Sequence, residues 1–123
     1  MGIVHKRIPN TDTWHWENVD VQSYTGNNAT KEVLIGRNEG ADNFEVRYFT
    51  IPPHGFSSLD HHAHDHGVVV IQGRAKVMLG EQFDEVGPGD TVYIPGWERH
   101  QFENLTDKPF TFICVIPPKP LNK

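Results

Sequence analysis

The chain has one cysteine, Cys114, so no disulfide can form within it, and such sparing use of thiols favours a cytoplasmic setting. No apolar run approaches the length of a membrane span. The opening MGIVHKRIPN has no long hydrophobic stretch behind its basic residues, so no secretory leader is expected there. Lys6 stands where N-myristoylation needs Ser or Thr. An excess of positive charge is also missing. The formal net charge of −5 argues against nucleic acid or an anionic membrane as partner. Glycine-rich phosphate loops, paired cysteine motifs and the Gly-x-Ser-x-Gly elbow are absent. A hydrolase built on Ser57 or Ser58 has only the proximity of histidines in its favour. These absences favour a soluble, cytoplasmic protein.

What is present is β-structure. Hydrophobic residues make up 37% of 123 residues, with seven Phe, three Trp and three Tyr, enough for one folded domain with one core. Short runs rich in β-branched and aromatic residues recur at 31–36, 44–51, 67–73, 75–79, 83–86, 91–94 and 110–116. Eleven glycines and nine prolines are spread too evenly for long helices, and they supply the turns between the runs. The expected fold is all-β, a sandwich, jelly roll or barrel. Residues 1–30 are expected to form an N-terminal arm laying the tryptophans of TWHWENVDVQSY on the barrel. Residues 31–118 form the barrel domain and 119–123 a tail.

Two clusters carry the chemistry. Residues 60–66 hold four histidines and two aspartates in seven positions, followed at once by the apolar VVVIQG. In an extended chain residues 60, 62, 64 and 66 share one face, so Asp60, His62 and His66 are candidates to converge inside the barrel. His61 points away, and a local turn settles His64. Two imidazoles and a carboxylate half-fill the sphere of a first-row metal, and a ligand from elsewhere would complete the case. The second cluster, GPGDTVYIPGWERHQFENLTD, offers His100 at the start of a strand, across from the first cluster in a small barrel. The plainer alternative is a solvated histidine loop. Cys114, in an apolar strand, is read first as a buried thiol, though alternation with Phe112 and Ile116 also places it on a pocket wall. Arg47 is read either as an outward charge or as an inward anchor for an anionic substrate, and the face it shares with Phe49 and Ile51 favours the inward reading. Phe102 shares the inward face of His100. Trp97 stands in a turn at the barrel mouth, as lid or exposed aromatic.

The two clusters resemble the paired signature motifs of the cupin superfamily, small double-stranded β-helix barrels. The second motif, Gly, five residues, Pro, one residue, Gly, two residues, His, three residues, Asn, is matched at Gly89, Pro95, His100 and Asn104. It departs at Trp97, where the family has Gly, although Gly96 is adjacent. In the first motif, counting back from Gly73 puts His66 at the family's Glu position, His62 at its second His and Asp60 at its first, with Gly55 one residue off. Only 15 residues separate Gly73 from Gly89, the compact spacing of small bacterial single-domain cupins, and the resemblance spans residues 31 to 118.

The resemblance implies one divalent first-row metal ion, held by Asp60, His62, His66 and His100. A three-His site, or His64 or His61, stands in if Asp60 falls short. Manganese, iron, nickel, zinc and copper all suit this set, retained at pH 7 and lost well below about pH 6. Two functions follow. One is a metal-dependent enzyme, a dioxygenase or isomerase, on a small polar or anionic molecule, with Arg47, Phe102, Phe112 and Cys114 shaping the pocket. Tyr93 and Glu98 lie within sequence reach for proton transfer, and neither is assigned. The other is a non-catalytic small-ligand or sensor cupin. Small barrels of this family also pair, through sheet faces or exchanged strands such as KEVLIG, so a homodimer is expected.

Overall fold

The computed structural model describes residues 1–24 and 28–118. Residues 25–27, and residues 119–123 that were expected as a tail, lie outside the described residues. Among the described residues nine strands follow one another: β1 (Gln22–Tyr24), β2 (Ala29–Ile35), β3 (Glu45–Ile51), β4 (His66–Gln72), β5 (Ala75–Leu79), β6 (Gln82–Val86), β7 (Thr91–Ile94), β8 (His100–Glu103) and β9 (Phe110–Ile116). They form a six-stranded sheet in the order β1-β2-β3-β9-β4-β7 and a three-stranded sheet in the order β6-β5-β8. Every pairing is antiparallel. The result is a jelly-roll barrel, as expected.

Period-two alternation decides what enters the core. On β4, His66, Val68 and Val70 are buried while Gly67 and Val69 are exposed. On β9, Phe110, Phe112, Cys114 and Ile116 face the same interior. Phe112 stacks on Phe49 of the same sheet at 5.0 Å and on Phe102 of the smaller sheet at 4.7 Å. These rings close the two sheets on each other, and burying three of them contributes several kcal/mol.

Seven strands coincide with the apolar runs to within two residues at either end. Two were not among those runs. β8 is short because its apolar residues are broken by Gln101 and Glu103, and β1 lies inside the stretch assigned to the arm. The turn chemistry at 37–39 forms one turn of 3-10 helix, closed by Gly40 in the left-handed region at φ 77°.

The arm covers the outer face of the larger sheet. Trp14 stacks on Tyr48 with centroids 6.2 Å apart, and Trp16 meets its edge at 5.0 Å. The Trp14 backbone N–H donates to the Tyr48 hydroxyl at 2.9 Å. Glu32, fully buried beside this patch, pairs with His15 of the arm at 3.1 Å. Burial raises the Glu32 carboxyl above its ordinary range, and His15 opposes that rise.

Asn104 is the polar hub under the site. Its side-chain amide donates to the carbonyls of Ile51, Pro52 and Lys108 at 2.7–3.1 Å. Its Oδ1 accepts from the backbone N–H and hydroxyl of Thr106. The residue has no solvent exposure, so water cannot replace its five contacts. Replacement Asn104→Asp keeps the shape but turns the donor into an acceptor facing three carbonyls. We expect the urea midpoint to fall by an amount equivalent to about 2–4 kcal/mol.

Candidate metal centre

The histidine loop reaches its position through the backbone of the second cluster. Asp60 and His100 exchange two hydrogen bonds, Asp60 N–H to His100 O at 3.0 Å and His100 N–H to Asp60 O at 3.1 Å. Two residues further on, the Trp97 N–H donates to His62 O at 2.6 Å. Gly96 makes this closeness possible, because a Cβ there would stand 2.3 Å from the Ala63 carbonyl oxygen. Trp97, at the position the motif gives to glycine, adopts a left-handed φ of 67°, an unfavourable conformation for a bulky residue. Its indole is exposed, 5.2 Å from the His61 ring, which also faces solvent.

Three imidazoles converge as a result. His62 comes from the loop, His66 from the start of β4 and His100 from the start of β8. One ligand atom from each lies within 4.8 Å of the other two. His62 Nδ1 contacts the His64 carbonyl at 3.1 Å, and His100 Nδ1 contacts the Glu98 carbonyl at 2.9 Å. A carbonyl can only accept, so both rings carry their hydrogen on Nδ1 and turn a bare Nε2 to the centre. His66 Nε2 lies 2.9 Å from His62 Nε2 and its Nδ1 lies 2.9 Å from Cys114 Sγ. In the metal-free chain His66 therefore donates from Nε2, and its Nδ1 accepts the Cys114 S–H. The opposite tautomer would turn all three Nε2 lone pairs to one point, with Cys114 Sγ as acceptor. Neutral imidazoles with their outer nitrogens held are the donor set a first-row divalent ion takes, so the residues fit the group.

Charge at the site favours neutral rings. His66 has its pKa pushed down from 6.5 to about 3, chiefly by burial and then by the nearby His100, His62 and Arg47. Burial raises the Cys114 thiol above its usual range against the opposing charge of Arg47, so it stays protonated.

The other expected site residues lie around the same cavity of about 240 Å³, which borders Arg47, Asp60, Phe102, Phe112 and Cys114 as well as the three histidines. Asp60 is on its wall, but its carboxylate is not in the three-atom group. The alternation that put Asp60 beside His62 and His66 does not apply, because residues 61–65 form a bend rather than a strand. The Asp60 Oδ2 instead accepts from Ser58 Oγ at 2.7 Å, and Ser58 Oγ in turn lies 2.7 Å from the Tyr24 hydroxyl. Since Ser58 gives its single proton to Asp60, Tyr24 donates to Ser58. His64 lines the cavity stacked on His62 at 3.9 Å. Tyr93 points outward to Asp65 at 3.0 Å, away from the cavity lining. Tyr24, Lys31 and Ser58 were not foreseen. Ser58-x-Asp60 was a weak signal, and nothing local marks Tyr24, which arrives through the pairing of β1 with β2.

A small antiparallel jelly-roll barrel with three imidazoles gathered in its cavity defines a barrel of the cupin type, able to hold a metal ion. The Cupin domain family model matches residues 47–116, and the chain belongs to the cupin family. The 1-methylthio-D-xylulose 5-phosphate methylsulfurylase of Rhodospirillum rubrum is 36% identical over 114 residues, 88% of this chain and 72% of the relative. A crystal structure of a cupin-2 domain protein from the same organism superposes with a TM-score of 0.81 at 35% identity, over 91% of this chain and 78% of that one. A sugar phosphate isomerase from the cupin superfamily of Silicibacter pomeroyi superposes with a TM-score of 0.71 at 27% identity, over 85% and 74%.

The depressed His66 pKa has a measurable consequence. Between pH 6.5 and about 3 the unfolded chain binds a proton at residue 66 that the native chain does not. Stability thus rises with pH across that window and is lost on acidification. For metal-free protein, urea unfolding at about pH 7 and about pH 4 should differ by a few kcal/mol. His66→Gln should reduce that difference.

Proposed function

We propose that this cupin is a metal-dependent enzyme of isomerase type, acting on a small anionic hydroxycarbonyl compound such as a sugar phosphate. One observation carries the reading: the three convergent histidines and the Tyr24–Ser58–Asp60 hydrogen-bond chain border a single cavity. His62, His66 and His100 would hold one divalent first-row ion. Such an ion supplies Lewis-acid polarisation of a carbonyl and so acidifies the neighbouring C–H. Asp60, whose carboxylate accepts a hydrogen bond from Ser58, is the group placed to take and return a proton. Ser58 and Tyr24 hold that carboxylate in orientation. Burial and the charge of Asp60 raise Tyr24 above its ordinary range, opposed by the Ser58 hydrogen bonds, which favours a neutral donor hydroxyl at the end of the chain. Phe102, Phe112 and Val68 dry the cavity wall, which strengthens every polar contact made there.

The names of two similar proteins point the same way, since both refer to phosphorylated sugars. Proton abstraction next to a carbonyl exchanges that hydrogen with solvent. Metal-loaded protein with a panel of ketose and aldose phosphates in deuterium oxide should therefore show deuterium incorporation by NMR. Asp60→Asn should slow it about a hundredfold while the metal stays bound. Oxygen uptake without exchange would favour the dioxygenase reading. Silence in both assays across the panel would leave a non-catalytic ligand-binding cupin.

A further inference from the structure

We propose that Arg47 is the anion anchor of this cavity, binding a carboxylate or phosphate group on the molecule whose other end reaches the three imidazoles. The inference deepens the metal-enzyme reading by naming the charged end of its substrate, and depends on that reading only for the opposite end.

Arg47 is inward on β3 and only 7% exposed, yet its hydrogen-bond capacity is almost unused. Its Nε is buried with no hydrogen-bond partner. The nearest carboxylate oxygen, Glu45 Oε1, stands 4.0 Å from that nitrogen, too far for a hydrogen bond. Among the described residues its Nη2 donates to Cys114 Sγ, at 3.5 Å, and sulfur is a weak acceptor. The guanidinium Cζ lies 5.0 Å from the centre of the Phe49 ring, an arrangement that holds the plane without satisfying its N–H groups.

A largely buried guanidinium whose Nε donor lacks a partner among the described residues gains from an oxyanion placed against it. Its planar fork suits two oxygens of one carboxylate or phosphate, which an ammonium does not reproduce. Arg47 borders the same cavity as the histidines, and the path between them is short: Arg47 Nη2 to Cys114 Sγ at 3.5 Å, then Sγ to His66 Nδ1 at 2.9 Å. Lys31, whose strand pairs with β3 so that Lys31 faces Phe49 in register, lines the cavity and adds positive charge. Asp60 lies on the cavity wall as its negative counterpart. A small molecule bearing an anion at one end and a hydroxycarbonyl at the other matches this polarity. The chain's net charge of −5 makes such a buried cation the more selective feature.

The test uses the full chain stripped of metal, at about pH 7.5 and constant ionic strength. Inorganic phosphate and, separately, glycolate are titrated in while the Arg47 Nε–Hε resonance and the Cys114 backbone amide are followed by NMR. We expect saturable millimolar binding of at least one anion, weakened at least tenfold in Arg47→Gln and by less in Arg47→Lys. Phosphate alone would name a phosphate monoester, and glycolate alone a carboxylate. No saturable shift with either anion, or unchanged binding in Arg47→Gln, would overturn the anchor. Zinc stoichiometry on the same samples separates the two claims and shows that the variants are folded. One equivalent of zinc without anion binding defeats the anchor alone, whereas anion binding without zinc leaves the anchor standing and defeats the metal reading.

Discussion

The site depends on the two-bond bridge between Asp60 and His100. Without it, residues 60–65 would be a polar loop beyond the end of the barrel, and the site would be the His66–His100 pair of β4 and β8 alone. The bridge belongs to neither named strand of the larger sheet, so it is a local device that joins the loop to β8. The Trp97 N–H to His62 O bond adds a second tie, and the bare backbone of Gly96 lets the strands approach that closely. His66, at the first position of β4, needs no such help, because β4 runs buried between β9 and β7. Two ligands, His66 and His100, are thus fixed by strand pairing, and His62 is brought to them by a short stretch of loop pairing.

Electrostatics gives that geometry its chemical sense. The cavity gathers positive or potentially positive groups, Arg47, Lys31 and four histidines, in a chain whose net charge is negative. Burial and mutual repulsion keep His66 neutral, so its nitrogen stays a lone-pair donor at pH values where an exposed histidine would be charged. The thiol of Cys114, also held neutral, acts as partner to His66 Nδ1 and can serve as donor or acceptor when the ring changes tautomer. This fits its position between Arg47 and His66 better than a nucleophilic role does. A rigid aromatic layer of Phe49, Phe102 and Phe112 supports both ends of the cavity.

Much of this was legible from residue order. Apolar runs located β4, β7 and β9, and period-two alternation turned Phe102, Phe112 and Cys114 inward, because one face of each strand packs on the core while residues such as Val69, Tyr93 and Val115 lie outside it. The second motif located His100 because turn, strand and proline follow in an order that leaves few other paths for the chain. Asp60 shows the limit of the period-two argument. It assumes an extended chain, and Gly67, Ala63 and the run of polar residues between 60 and 66 allow a bend instead, so His62 reaches the centre while the Asp60 carboxylate turns to Ser58. Tyr24 and Lys31 come from strands far away in sequence, and only the register of β1, β2 and β3 brings them to the cavity. That register is a tertiary property with no local signature.

The central claim is that His62, His66 and His100 together hold one divalent ion. Cobalt(II) titration of the metal-free chain, followed by its visible absorption, tests it most directly. Saturation at one equivalent in the parent, marked weakening in His62→Ala, His66→Ala and His100→Ala alike, and retention in Asp60→Ala is the result this geometry requires. Failure of the parent to take up a stoichiometric ion, or undiminished binding after loss of any of the three histidines, would contradict it.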